Sequence, residues 1–170
     1  MIRFLLNLGE NRWAWLAVIV ICLSLEGGAL FFQEVLHYYP CELCIYTRVW
    51  MTSLVLTSIV ALVLLRYLWA RRLLIVVQLV FTFLLARVTW KLLGFEYGWG
   101  EDGACSLVAN FPSWLPLDTW FPVLFKVQDS CAATPLVIGS LSMADGLLVT
   151  AFGFFIAFTF ALVGQFLPRK

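Results

Sequence analysis

Charge is scarce in this chain: Asp, Glu, Lys and Arg make up only 12% of its 170 residues and nearly cancel, to a formal +1. So small a net charge provides no field for nucleic acid or an acidic substrate, and only the placement of the charges is informative. Histidine occurs once, at His37, which leaves no His-rich metal motif. The sequence has no glycine-rich phosphate loop, internal repeat or low-complexity tract, and no haem, flavin or iron–sulfur ligand set is visible. Neither nucleotide nor nucleic acid is expected as a partner.

What fills the chain instead is apolar. Hydrophobic residues reach 63% and mean hydropathy is +0.96, against the roughly 45–50% apolar content of soluble domains. Four runs, 15–32, 45–65, 73–93 and 147–167, are each close to the ~20 residues that cross a hydrocarbon core. The expected fold class is an all-α membrane protein, a four-transmembrane-helix bundle with one long loop between helices three and four. Arg3, Arg12, Arg66, Arg71, Arg72, Arg169 and Lys170 fall within 1–14, 66–72 and 168–170. Basic residues mark the cytoplasmic side, so both termini are expected there, with loops 33–44 and 94–146 on the opposite, periplasmic side. A signal peptide is a second reading of the first run, since Arg3 and Arg12 precede it and Gly27, Gly28 and Ala29 follow its apolar part. Renewed apolar character at Leu30-Phe31-Phe32 favours a span.

The chemistry is concentrated at Pro40-Cys41-Glu42-Leu43-Cys44, with Arg48 one turn on. Helical positions three and four apart share a face, so Cys41, Cys44 and Arg48 cluster. Pro40 suits the first helical position, which would place both thiols in the first turn. There the helix dipole and a nearby guanidinium favour the thiolate, making a redox or metal site. His37 is read as a solvated interfacial residue, with a third metal ligand beside Cys41 and Cys44 as the alternative, for which a fourth ligand is not obvious. Arg48 is read as binding an anion or a carbonyl oxygen, with snorkelling to the headgroups as the plainer alternative. Arg87 and Lys91 reach the same leaflet near the end of the third run, and Arg87, a turn deeper, is a second-rank site candidate pointing into the bundle.

Two residues of the first run also call for an account. Glu26 costs several kcal/mol in the bilayer unless it meets protein, water or a cation. Beside Gly27 and Gly28, which would admit a neighbouring helix, it is expected to hydrogen-bond across a helix interface, with a proton-handling role as the alternative. Cys22, one turn earlier, is read as packing.

The long outer segment holds Cys105 and Cys131, which are expected to pair. Closing a loop of roughly 25 residues contributes about 3 kcal/mol, so a structural staple is one reading. Between them, Phe111 to Pro122 is rich in Trp, Phe and Pro, which suggests a short helix or turn on the membrane surface. Disulfide exchange needs a thiolate, a disulfide within reach and an electron sink. Two cysteine pairs on one side supply the first two. A quinone entering from the bilayer is the sink that remains, with Arg48 stabilising charge on its oxygen.

The run Pro40-Cys41-Glu42-Leu43-Cys44-Ile45-Tyr46 followed by Arg48, the four spans, Glu26, and Phe111-Pro112-Ser113-Trp114-Leu115-Pro116-Leu117-Asp118 resemble the bacterial disulfide bond formation protein B family over nearly the whole chain. The resemblance implies a thiol:quinone oxidoreductase of the bacterial inner membrane. In it, Cys105–Cys131 would take electrons from a DsbA-like periplasmic thiol oxidase, with Cys105 forming the mixed disulfide. Cys131 would then engage Cys41, and Cys44 would pass electrons beside Arg48 to ubiquinone or menaquinone from the membrane pool. Met143 matches a residue near the family's quinone site. The chain departs from the family pattern at Thr47, where an acidic residue precedes the arginine, and at Lys91-Leu92, where a histidine is expected. One competing reading is a non-enzymatic bundle with a stapled loop and a Cys/His metal site. Another is a vitamin K epoxide reductase-like enzyme, which carries its Cys-x-x-Cys on the fourth helix rather than the second.

Overall fold

The computed structural model describes residues 7–99, 106–131, 136–139 and 141–166. Three long helices come first, α1 (Arg12–Glu34), α2 (Glu42–Leu64) and α3 (Leu68–Tyr97). Two single-turn helices follow, α4 (Leu117–Trp120) and α5 (Pro122–Phe125), then an antiparallel hairpin of β1 (Leu136–Ile138) and β2 (Leu141–Ser142), and finally α6 (Met143–Gly164). By length and apolar content α1, α2, α3 and α6 can each cross a membrane. The molecule is therefore a multi-pass membrane bundle of four helices, and the small hairpin is an addition that helical periodicity did not foretell.

Helix ends are set by local chemistry and not by where the apolar runs stop. α1 starts at Arg12 because Asn11 Oδ1 accepts a hydrogen bond from Trp13 N at 3.0 Å. α3 continues to Tyr97, where Gly98 at φ 71° supplies the left-handed residue that ends many helices. α6 starts at Met143 through a capping box. Asp145 N donates to Ser142 Oγ at 3.2 Å, and Ser142 N donates to Asp145 Oδ2 at 3.0 Å. The same carboxylate accepts from the Tyr97 hydroxyl at 3.0 Å, tying the end of α3 to the start of α6.

Within the bundle α2 lies between α1 and α3, and α3 packs on α6. Trp15 and Phe158, 5.6 Å apart between ring centroids, close the circle from α1 to α6. Lipid tails are as apolar as the helix faces, so polar bridges and close packing must hold helices together. Gln78 is such a bridge: its Nε2 donates to Leu54 O at 3.1 Å and to Ser58 Oγ at 2.7 Å, joining α3 to α2. Gly9 is a close approach, since a Cβ there would lie 2.6 Å from Ile75 Cδ1. Gly27 and Gly28 are not: nothing lies within 4 Å of a Cβ at either position, so the helix contact expected there does not form. At the end remote from the cysteine pair, Arg71 pairs with Glu10 at 2.9 Å, while Arg71 and Arg72 hold Gln165 by its side chain and its carbonyl.

Ser142→Ala removes the acceptor for Asp145 N and is expected to cost about 1 kcal/mol. The check is the unfolding midpoint in detergent, where an unchanged value would show that the hairpin alone fixes the start of α6.

Candidate redox site

α2 begins two residues later than Pro40 suggested, at Glu42. Pro40 lies outside the helix, and Cys41 is the N-cap, with extended backbone at φ −84° and ψ 172°. Its Sγ accepts from Cys44 N at 3.3 Å, work usually done by a Ser, Thr, Asp or Asn oxygen. The two sulfurs lie 2.7 Å apart. Its hydrogen bond with Cys44, and then burial, hold the Cys41 thiol well above the ordinary thiol range. This reverses the expectation of an activated thiolate at Cys41, because the nearest polar neighbour is another sulfur that competes for the charge. Thr47 Oγ1 turns back on the helix and donates to Cys44 O at 2.8 Å.

Arg48 does not snorkel. It is 5% exposed, and its Nη1 donates to Gln33 Oε1 at 2.9 Å and to Leu124 O at 3.1 Å. Gln33, itself buried, donates through Nε2 to Val123 O at 3.1 Å and to Glu34 Oε1 at 2.9 Å. α5 can supply those acceptors because a single helical turn leaves its carbonyls without partners inside the helix. Sequence reasoning passed over Gln33. The signal was its place seven residues after Glu26, two turns on along the same face.

A cavity of about 120 Å³ opens beside these groups, lined among others by Glu26, His37, Cys41, Cys44, Arg48 and Met143. Both Glu26 oxygens are buried and have no hydrogen-bond partner, so the interhelical bond expected of Glu26 is absent. Met143 reaches the cavity from the first turn of α6. Arg87 is elsewhere: its side chain is exposed and lines a separate apolar groove with Phe83, Trp90, Phe152 and Phe155. His37, in a left-handed backbone conformation at φ 56°, does not complete a ligand set with the two cysteines. Among the described residues no three His, Cys, Asp or Glu side chains converge on a metal position.

The connection from α3 to α6 is docked onto the start of α2. Gln128 N and Asp129 N donate to Pro40 O at 3.0 and 3.3 Å. Ser106 N donates to Glu42 Oε2 and Asn110 N to the Tyr46 hydroxyl oxygen, each at 2.9 Å, while Ala109 and Phe125 pack on Ile45. The aromatic stretch forms α4 and α5 and leaves Trp114, Trp120 and Phe121 exposed. Cys131 is disulfide-bonded and buried in one apolar cluster with Cys41, Leu92, Leu93 and Ala144. Cys105 lies outside the described residues.

The site thus unites a cysteine pair, a disulfide-bonded cysteine packed against it, and a buried cation beside a small cavity. A family model described as disulfide bond formation protein DsbB matches residues 11–162. The chain is 32% identical over 166 residues to disulfide bond formation protein B of Shewanella denitrificans, covering 98% of this chain and 95% of that one. It is 29% identical over 170 residues to the protein of that name from Photorhabdus laumondii, covering all of both chains. With Photobacterium profundum the figures are 26% over 168 residues, covering 99% and 96%. Spanning nearly the full length of such relatives, and carrying the paired thiols their name calls for, the chain belongs to the disulfide bond formation protein B family, whose name denotes an oxidoreductase role.

Proposed function

We propose that the protein is a membrane thiol:quinone oxidoreductase that reoxidises a DsbA-like periplasmic disulfide-forming protein and passes the electrons to ubiquinone or menaquinone. The observation that carries this reading is the shared cavity: Cys41 and Cys44, with sulfurs 2.7 Å apart, open onto the same space as a buried Arg48. The proposed orientation in the bacterial inner membrane puts the basic end, with Arg66, Arg71 and Arg72, in the cytoplasm, and the cysteines on the periplasmic side.

The residues fit a quinone ring. The cavity is of the order of the ~150 Å³ spaces that take up benzene, and its wall combines apolar Met143 and Leu147 with a guanidinium and an unpartnered carboxyl. A bound quinone supplies a two-electron acceptor with two oxygens to protonate. Arg48 favours negative charge at the nearer oxygen, as donors fixed in a water-poor site do. Cys44, less buried than Cys41 and one turn from Arg48, delivers electrons, and Cys41 closes the disulfide with it. Cys131, packed against Cys41, refills the pair by disulfide exchange, and Cys105 takes the mixed disulfide with the periplasmic partner.

Purified protein given a reduced thioredoxin-fold partner is expected to reduce a soluble quinone analogue, and Cys44→Ser to abolish this; full activity in that variant would sink the mechanism. Arg48→Ala removes charged hydrogen bonds of about 1.5–3 kcal/mol and is expected to raise the apparent KM for the analogue roughly 10- to 100-fold. An unchanged KM would remove Arg48 from the site. Cys131→Ser is expected to accumulate a mixed disulfide through Cys105 with a periplasmic protein, visible on a non-reducing gel and lost in Cys105→Ser.

A further inference from the structure

α1 carries one carboxyl in its apolar interior. Glu26 lies eight residues before Glu34, about 12 Å below that end of the helix at 1.5 Å per residue. Both its oxygens are buried without a partner, although it shares the cavity with Cys44 and Arg48. Among the described residues Glu26 makes no ion pair with Arg48, whose hydrogen bonds go to Gln33 and Leu124. Placing a carboxyl in hydrocarbon without donors is costly. Here it leaves two oxygens with no hydrogen-bond donor among the described residues, Arg48 acting on them through its charge alone.

The other ionisable side chains around the cavity divide by position. His37, Tyr38, Tyr39 and Asp129 are exposed and stand at its mouth, Cys41 and Cys44 hold the thiols, and Arg48 does not release a proton. Glu26 is the remaining group that can carry a proton at the inner wall.

We propose that Glu26 is the inner proton donor of this site, handing its carboxyl proton to the deeper oxygen of the electron acceptor and regaining one from the cysteine pair. This rests on the quinone reading above. Oxidation of the Cys41–Cys44 dithiol makes one S–S bond and releases two electrons and two protons. Both electrons go to the quinone-class acceptor. One thiol proton restores Glu26 after it has protonated the deeper oxygen, and the other leaves to water at the mouth, which protonates the second oxygen. Glu26 ends as it began.

The test uses full-length protein in detergent with a short-chain quinone analogue, comparing Glu26→Gln and Glu26→Asp with wild type. Glu26→Gln keeps the size of the side chain but cannot transfer a proton, so turnover is expected to fall by about 100-fold or more. The Kd for the analogue is expected to stay within roughly threefold, less than 1 kcal/mol, and Glu26→Asp to restore part of the rate. A second readout needs no quinone: in quinone-depleted protein, the infrared band of a protonated carboxyl should respond to reduction of the cysteine pair, and should be missing in Glu26→Gln. Turnover of Glu26→Gln within threefold of wild type, weakened binding with turnover intact, or a band unaffected by the substitution would each overturn the proposal. Wild-type protein that fails to bind or reduce the analogue would instead overturn the quinone reading on which it rests.

Discussion

A guanidinium held away from water determines how this molecule is put together. A buried charge left unpaired would cost several kcal/mol, so Arg48 must find acceptors inside the protein. It draws them from two distant stretches, Gln33 at the end of α1 and Leu124 in α5, and one side chain thereby obliges three segments to meet. Gln33 extends the constraint through its own bond to Val123. The connection between α3 and α6 is held over the start of α2 by polar bonds from Ser106, Asn110, Gln128 and Asp129.

The cysteine geometry follows from that docking. With Pro40 O, Glu42 and Tyr46 all engaged by the loop, Cys131 is brought into the apolar cluster around Cys41. Sulfur chemistry is thereby placed at the boundary where α2 begins. The charged groups lie below it, Arg48 six residues along α2 and Glu26 eight residues from the end of α1, roughly 9 and 12 Å in at 1.5 Å per residue. The site is layered along the bundle axis, with thiols above and the charged and acidic groups beneath them.

Composition was enough to show four spans, because nothing but a bilayer accommodates such continuous apolar runs. It could not place their ends, which depend on single hydrogen bonds at Asn11, Ser142 and Asp145 and on the positive φ of Gly98. The Cys-x-x-Cys pair and Arg48 were legible as a cluster from helical spacing alone. Pro40 misled by two residues, since a proline before an N-cap and a proline at the first helical position look alike in sequence. The partners of Arg48 were illegible for a different reason: they are set by what α5 and α1 present in three dimensions. Arg87 shares the helical logic of Arg48, yet its face of α3 turns outward, and no local pattern distinguishes the two. Gln33 was within reach, since a polar residue two turns from a buried acid marks a common face.

The capping role of Cys41 has a mechanical side. A bond from Cys41 to a sulfur outside its own helix, as the proposed exchange with Cys131 requires, would compete with the hydrogen bond that its Sγ accepts from Cys44 N and so with the cap of α2. A lost N-cap costs about 1 kcal/mol, roughly a fivefold bias toward the arrangement in which Cys41 sits back on its own helix. Under the proposed exchange the helix end would act as a weak return spring, soft enough for thermal motion to stretch and biased toward the capped arrangement.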